Sequence, residues 1–327
     1  MDQFGLKNKN SRLPGCKKNL KKGLLQTSSG IPSLDNIING GFVINSISSI
    51  IEDEHRINIS AFLRVFLSEG LASFQNLFIV DSLMSRNLDL KNLPDVYSSE
   101  SCSIPDSNTD DTLDIAWRYR NVSLKEKGPI NKGQKRTFDL TKPQLDISED
   151  SISSKVLKVS LDPSLGFAVN SQHVVDKLLS FLKPESFTRV VLPSFGCYLW
   201  GKIDCSKKLA QFIARVKAIS RAFPCLVIFT TPREFIELTF PRLPQIVDYA
   251  FSFIFTAEGE NACYVNLDRI PSLGSYDYEP VARPMAVNLS LKYKMKQLLV
   301  EYFYLPPCLE ETANRSTTEA STKKLEF

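Results

Sequence analysis

The sequence lacks any apolar run long enough to cross a bilayer. Its longest runs, such as residues 225–229, span five or six residues, whereas a membrane helix needs about 18. The basic start of the chain also lacks the apolar core of about 7–15 residues that a signal peptide carries. We therefore expect neither an integral membrane protein nor a secreted one.

Histidine is scarce, and the cysteines are not arranged for metal binding. The 327 residues include only two histidines and seven cysteines, and no two cysteines form a CxxC pair. No recognisable zinc spacing can be built from this set. An odd number of cysteines without a secretion signal indicates reduced thiols in the cytosol or nucleus. Cys225 and Cys263 lie in apolar runs and are interpreted as small core residues.

Charge of either sign is modest but unevenly placed. The chain has 40 basic and 36 acidic residues, and seven of the basic ones fall within residues 1–22 beside a single acid, Asp2. The rest of the chain is therefore not a strongly basic nucleic-acid binder. The basic segment is typical of a solvated, disordered terminus, although unspecific contact with phosphates is an alternative. We predict a disordered basic arm over residues 1–26.

An α/β pattern begins with a glycine-rich turn. Pro32 follows Gly30 at a first-turn position, and a short helix through Asp35 should end at Gly40 and Gly41. A β-branched strand at 47–51, an amphipathic helix at 58–71 and a strand at 77–80 follow. The order predicts a βαβ unit with parallel strands and a right-handed crossover.

Two long polar stretches interrupt this pattern, at about 84–112 and 121–154. Such irregular segments are usually functional or disordered. Beyond them we predict helices at 172–182 and 206–222, central strands at 189–192 and 226–229, antiparallel strands at 249–255 and 262–267, and an alternating strand at 291–295. Residues 306–327 are predicted to be a disordered tail. The whole indicates one domain over residues 27–305.

The loop after the first strand stands where a P-loop ATPase holds its phosphates. That loop would read GxxxxGK[ST], with backbone amides and a lysine around the phosphates. Here it contains Glu52, Asp53, Glu54, His55 and Arg56, with neither glycine nor lysine. Consecutive carboxylates repel phosphate. The strand at 189–192 is followed by Pro193 and Ser194 and lacks the acid that would position magnesium. We expect no nucleotide in the usual mode and no cofactor.

Four further segments have both a functional and a structural interpretation. His55 and Arg56 could reach a nucleotide on a neighbouring subunit or could simply balance the adjacent acids. Residues 230–232 could be a sensor segment or a turn at a strand end. Lys292, Lys294 and Lys296 could face RNA or could protect an edge strand from pairing. Residues 117–120 could stack on bases or a partner, or could anchor the long insertion.

Several motifs resemble known families. Residues 28–35 with Gly40, Gly41 and Phe42 resemble the TGIPxLDxLLGGGL motif of RecA/KaiC-like ATPases. Residues 113–119 resemble the LKIAWRY signature of the fourth subunit of the Elongator complex, and Trp117, Arg118 and Tyr119 lie within it. Residues 137–140 are similar to the FDL element of that family, and residues 296–307 to its strand ending in LPP. The resemblance spans residues 27–307, with the motifs in family order.

One departure from the family pattern concerns the turn before the first strand. The family usually has glycine there, and this chain has Val43, Ile44 and Asn45. Asparagine tolerates the left-handed conformation, so we expect Asn45 to preserve the turn.

The resemblance implies a RecA-like three-layer α/β fold with a mostly parallel central sheet and antiparallel strands towards the C-terminus. It also implies a hexameric ring, with two copies each of this chain and of the fifth and sixth Elongator subunits. That ring binds tRNA, joins the catalytic subcomplex and supports carboxymethyl-type modification of wobble uridines, in the cytoplasm and nucleus. The complex is also linked to histone acetylation and transcription elongation.

On this interpretation the chain is a non-catalytic subunit, because it shows no iron–sulfur cysteine cluster and no glycine loop for acetyl-CoA. Two alternatives remain open. The chain could be a divergent ATPase that completes nucleotide sites at subunit interfaces, or a stand-alone RNA-binding protein that uses its basic arm.

Overall fold

A computed structural model describes residues 13–19, 23–52, 57–81, 88, 90–96, 136–143, 154–203, 206–255, 263–271, 289–294 and 296–302. Six helices occur in these ranges: α1 (Pro32–Ile37), α2 (Ile57–Ala72), α3 (Phe167–Phe181), α4 (Ser206–Ala222), α5 (Arg233–Thr239) and α6 (Leu243–Ile246). They begin and end close to the predicted positions for α1, α2 and α4, and α3 starts five residues before its predicted helix.

Fourteen strands are formed by the same residues. The first seven are β1 (Cys16–Lys18), β2 (Leu25–Thr27), β3 (Phe42–Val43), β4 (Ser46–Glu52), β5 (Asn76–Val80), β6 (Pro94–Val96) and β7 (Phe138–Pro143). The others are β8 (Val156–Val159), β9 (Thr188–Leu192), β10 (Cys225–Pro232), β11 (Tyr249–Phe255), β12 (Cys263–Arg269), β13 (Leu289–Lys294) and β14 (Gln297–Tyr302).

Nine of the strands form one large sheet, in the order β14-β13-β12-β11-β4-β10-β9-β5-β8. The six strands from β11 to β8 run parallel to one another, and the three strands beyond β11 are antiparallel. The predicted mostly parallel sheet with late antiparallel strands is therefore confirmed. The predicted βαβ strands, β4 and β5, are parallel but not neighbours, since β10 and β9 lie between them.

Helices cover both faces of this sheet. Alternate residues of β10 face opposite sides: Leu226 and Ile228 join a core cluster with α1 and α2, and Val227 and Phe229 join a second cluster with α3 and α4. Such alternation between two apolar faces explains why β10 is nearly continuous in apolar residues. The result is a helix–sheet–helix arrangement in three layers.

Parts of the predicted disordered arm are ordered strands. Cys16–Lys18 pair with Leu25–Thr27, which in turn pair with β3, so the prediction for residues 1–26 is wrong at these positions. The side-chain amide of Gln75 also donates a hydrogen bond of 2.9 Å to the carbonyl oxygen of Pro14. Backbone hydrogen bonds, rather than apolar side chains, hold a small strand of this kind. The lysine-rich composition therefore gave no indication of this pairing.

The two predicted insertions meet in a small ribbon. Within the stretch predicted as residues 84–112, β6 pairs antiparallel with β7, which lies within 121–154. Phe138 is buried in the core, and the backbone amide of Leu140 bonds the carbonyl oxygen of Lys296 at 2.9 Å. These described parts of the insertions are packed against the domain.

Two structural interpretations of polar segments are corrected. Residues 230–232 do not form a turn, because they continue β10 and pair with β4 up to Glu52. Lys292 and Lys294 do not lie on an edge strand, because β14 pairs outside β13, and Lys296 lies in the turn between these strands. The tail at 306–327 falls outside the described residues. Asn45 has a φ of +59°, which confirms the predicted left-handed turn.

Candidate functional site

Glu52 ends the central strand β4 with its side chain buried. It pairs with Pro232 of β10, so the ends of the two parallel strands lie side by side. The hydroxyl of Thr230 donates a short hydrogen bond to Oε1 of Glu52, and the Ser194 hydroxyl donates a second of 3.1 Å to the same oxygen. The carboxylate is thus turned inward between the ends of three adjacent strands.

A tight turn after β9 brings Ser194 to this carboxylate. Ser194 has a φ of +49°, a left-handed conformation that is uncommon for serine. Its backbone amide donates to Oγ1 of Thr230 at 2.8 Å, and the amide of Phe195 donates to the Thr230 carbonyl oxygen at 2.6 Å. Because the turn is fixed to β10 by both bonds, the two hydroxyls are held in place to donate to Glu52.

A second acid lies at the same edge of the sheet. Ser252 of β11, whose neighbour on β4 is Ile51, donates a short hydrogen bond from its hydroxyl to Asp268. Burial raises the pKa of Asp268, and the Ser252 hydrogen bond and the nearby charge of Arg233 partly oppose that rise. Both of these acids, Glu52 and Asp268, are therefore held by serine or threonine hydroxyl donors.

The described residues include few of the predicted loop and signature residues. Asp53, Glu54, His55 and Arg56 fall outside the described residues, and so do Trp117, Arg118 and Tyr119. Of these predicted residues, only Glu52 is placed. Within the described ranges, no group of three or more histidine, cysteine, aspartate or glutamate side chains could hold a metal ion.

Asp35 holds the glycine-rich opening motif together. Its Oδ1 accepts hydrogen bonds from the backbone amide and the hydroxyl of Ser29, at 2.8 and 2.7 Å, and its Oδ2 accepts one from the Ser28 hydroxyl at 2.5 Å. Pro32 opens α1 at its first turn. Asp35 is buried, and its contacts fix the turn that leads into this helix.

The glycines of this motif have structural requirements of their own. Gly30 has a φ of +89°, and a β-carbon there would lie 2.8 Å from the side chain of Val65 on α2. Gly40 and Gly41 have φ values of +113° and +116°. A β-carbon on Gly41 would overlap the carbonyl oxygen of Thr27. These positions exclude other residues for reasons of packing and backbone conformation.

Arg189 is a buried cation that the sequence pattern did not indicate. From β9 its guanidinium donates to Gln75 Oε1 at 2.5 Å, to the Phe66 carbonyl oxygen at 2.8 Å, and to Thr27 Oγ1 and the Ser28 carbonyl oxygen at 3.1 and 2.9 Å. Burial lowers its pKa to about 10, so it stays charged at neutral pH. Arg189 thereby joins the opening motif to α2 and the central sheet.

Comparisons with known proteins agree along nearly the whole chain. A protein-family model described as PAXNEB protein matches residues 9–327. A protein of Xenopus laevis is 25% identical over 94% of this chain and 86% of its own length. Relatives from Danio rerio and Homo sapiens are 26% and 25% identical, each over 93% of this chain and over 87% and 82% of their own lengths. All three are named Elongator complex protein 4.

No helix in the described part of the chain is long and apolar enough to span a membrane.

Proposed function

The chain belongs to the PAXNEB protein family, and we propose that it is a non-catalytic subunit of an Elongator complex that supports the modification of tRNA. We further propose that this chain forms a RecA-like ring with the fifth and sixth Elongator subunits. This ring binds tRNA and joins the catalytic subcomplex, which modifies wobble uridines. We place the subunit in both the cytoplasm and the nucleus.

The buried Glu52 carboxylate is the observation that carries the non-catalytic part of the proposal. In a P-loop ATPase the loop after the first strand supplies backbone amides and a lysine to the phosphates. Here a carboxylate ends the central strand, where it accepts hydrogen bonds from Thr230 and Ser194. A second acid, Asp268, bonds Ser252 of the neighbouring strand β11. This arrangement puts carboxyl groups, and not backbone amides and a lysine, where phosphates would bind.

The sheet order supports the RecA-like part of the proposal. β4 lies between β10 and β11, and the amphipathic helix α2 follows it directly along the chain. A parallel strand, a loop and a helix of this kind form the core of P-loop proteins. The opening motif packs against α2 through Gly30 and is tied to β9 by Arg189. These contacts support the proposal of a RecA-like core whose phosphate position is altered.

ATP turnover tests the non-catalytic assignment. We would measure phosphate release by the purified chain alone and by its mixture with the fifth and sixth subunits, for both the wild type and Glu52→Gln. The chain alone should release phosphate at the rate of buffer, and the substitution should leave turnover by the mixture unchanged. Turnover by the chain alone that Glu52→Gln abolishes would contradict the proposal, because a contaminating ATPase would not respond to this substitution.

A further inference from the structure

A cavity of about 680 Å³ opens beside α2, and its lining does not include Glu52, Ser194 or Thr230. Three structural units form it: the first turns of α2, the β6–β7 ribbon and the hairpin between β13 and β14. Its polar lining in the described part of the chain comprises Ser60, Arg64, Asn92, Thr141, Tyr293 and Lys296. A volume of this size is typical of pockets that bind small molecules or cofactors.

Both charged side chains that line the described part of this cavity are basic. Arg64 and Lys296 line it, and none of the described lining residues is acidic. The nearby carboxylate of Asp139 is buried, and its Oδ1 accepts hydrogen bonds from the backbone amide and hydroxyl of Thr141 at 2.9 and 2.6 Å. The bond from the Thr141 hydroxyl lowers the pKa of Asp139 most, and the nearby charges of Lys296 and Lys142 lower it further. Lys296 therefore lies near one carboxylate, but together with Arg64 the lining cations outnumber this acid, so the cavity favours an anion.

The cationic and aromatic groups are held in position by other parts of the chain. Arg64 donates two hydrogen bonds to the carbonyl oxygen of Asn92, from Nε at 3.0 Å and from one terminal nitrogen at 2.5 Å. The hydroxyl of Tyr293 donates to Asn58 Oδ1 at 2.9 Å, and 44% of the tyrosine remains exposed. A guanidinium and an aromatic ring that are already fixed lose little conformational freedom when a ligand binds.

Lys296 lies opposite α2, in an unusual backbone conformation. It has a φ of +68° in the turn between β13 and β14, where glycine or asparagine is the usual choice. Its carbonyl oxygen accepts the bond from the amide of Leu140 that ties the hairpin to β7. Lys296 therefore lines the cavity from a turn that carries some backbone strain.

We propose that this cavity binds a nucleotide, with phosphate oxygens at Arg64 and Lys296 and the base against the ring of Tyr293. Guanidinium and ammonium groups are the usual partners of phosphate. Aromatic rings accept bases of any sequence. The nucleotide is either free in solution or part of an RNA strand, since both present the same phosphate and base. A free nucleotide would go beyond the proposed function, whereas RNA would deepen it, and that arm rests on the proposed tRNA binding.

Binding to the purified full-length chain tests this inference. The probes are AMP, ATP, inorganic phosphate and a short oligouridine, and calorimetry measures the binding of each one. The test variant is Lys296→Asn, because asparagine removes the charge but tolerates the left-handed backbone. The matched control is Lys294→Asn, which changes an exposed lysine on the same hairpin that does not line the cavity. The thermal midpoint of each variant shows whether the fold is intact.

We expect Lys296→Asn to weaken binding about tenfold, as the loss of one charge-assisted contact should, and Lys294→Asn to leave it within about twofold. Tyr293→Ala should weaken AMP or oligouridine more than inorganic phosphate, because only nucleotides use the ring. If Lys296→Asn proves unstable, the selective effect of Tyr293→Ala on nucleotide binding tests the inference instead. Binding of AMP or ATP identifies a free nucleotide, and binding of oligouridine alone identifies RNA.

Two results would overturn the inference. In one, neither AMP, ATP nor oligouridine binds the wild-type chain. In the other, the two lysine variants weaken binding equally, as unspecific attraction to a basic surface would require. Neither result bears on assembly with other Elongator subunits, so failure here is distinguishable from failure of the proposed function.

Discussion

The hydroxyl of Ser194 donates a hydrogen bond of 3.1 Å to Oε1 of Glu52, across 142 residues of sequence. The contact joins the turn after β9 to the end of β4, and Thr230 of the intervening strand β10 bonds the same oxygen. In this way the two strands and the turn share one buried carboxylate. Glu52 is therefore a structural link between the carboxyl ends of these strands.

Removing the Glu52 carboxylate should destabilise the domain. Glu52→Ala leaves the buried hydroxyls of Ser194 and Thr230 without their acceptor, and we expect a loss of about 2–4 kcal/mol in the free energy of unfolding. Glu52→Gln keeps an acceptor oxygen and should lose less. Urea unfolding measures both. The control Glu301→Ala removes an exposed ion pair to Lys292 and should cost under about 1 kcal/mol. A Glu52→Ala variant as stable as the wild type would contradict this role.

Arg189 should be far more important for stability than a surface arginine. Arg189→Met leaves the oxygens of Gln75 and Phe66 without their donor inside the protein, and should cost about 3–5 kcal/mol. Arg221, by contrast, bonds the carboxylate of Asp248 at 2.7 Å and is half exposed. Arg221→Met should therefore cost no more than about 1 kcal/mol. Denaturant unfolding measures both losses of unfolding free energy. Equal losses for the two variants would show that the burial of Arg189 does not make it more stabilising than a surface arginine.

Regular elements were predictable from the sequence because their apolar residues repeat at a fixed period. Helix α4 was predicted with its observed bounds, 206–222, since Leu209, Phe212 and Val216 form one buried face. Strands β9, β10 and β11 were predicted from β-branched and aromatic runs, although β10 is longer than expected because it continues through Thr230 and Thr231 into polar residues.

Contacts between distant segments could not be predicted in this way. The partners of Arg189 lie more than 110 residues away along the chain, so no local pattern marks it as buried. β8 at the far edge of the sheet has only four residues, of which Val159 alone is buried, so its residues give little indication that it pairs with β5. For Glu52, the sequence indicated a carboxylate at the phosphate position, but its hydrogen bond to Ser194 depends on the turn after β9.

Gly41 should not tolerate a side chain. It has a φ of +116°, and a β-carbon there would overlap the Thr27 carbonyl oxygen, so Gly41→Ala should cost more than about 2 kcal/mol. Gly166 at the start of α3 is a matched control, with a φ of −69° and no atom within 4 Å of an added β-carbon. Gly166→Ala should cost under about 1 kcal/mol. The midpoint of thermal unfolding compares the two, and a Gly41→Ala midpoint equal to that of Gly166→Ala would show that this turn can relax.

Alkaline pH should destabilise the domain through Tyr249. Burial raises the pKa of its phenol from 10.0 to about 12, and the hydroxyl accepts a hydrogen bond from the Val43 amide at 3.0 Å. Between these two values the folded state keeps a proton that the unfolded chain releases. The stabilisation is therefore complete below pH 10 and is lost as pH rises towards 12, by up to about 2.5 kcal/mol.

Unfolding in urea between pH 8 and 11 measures this loss. Burial also raises the pKa of the Cys225 thiol, from 9.0 to about 12, so the decline should begin near pH 9. Tyr249→Phe should show a shallower decline above pH 10 than the wild type. Parallel curves for the two proteins would show that the phenol is not responsible.

The solution mass of the purified chain, alone and mixed with the fifth and sixth Elongator subunits, tests the central claim most directly. Membership in an Elongator ring predicts a hetero-oligomer of about six subunits that forms only when all three proteins are present. The Glu52→Gln variant should join it as well as the wild type, since this subunit is proposed to contribute structure rather than catalysis. A chain that keeps its own mass in the presence of both partners would contradict the account.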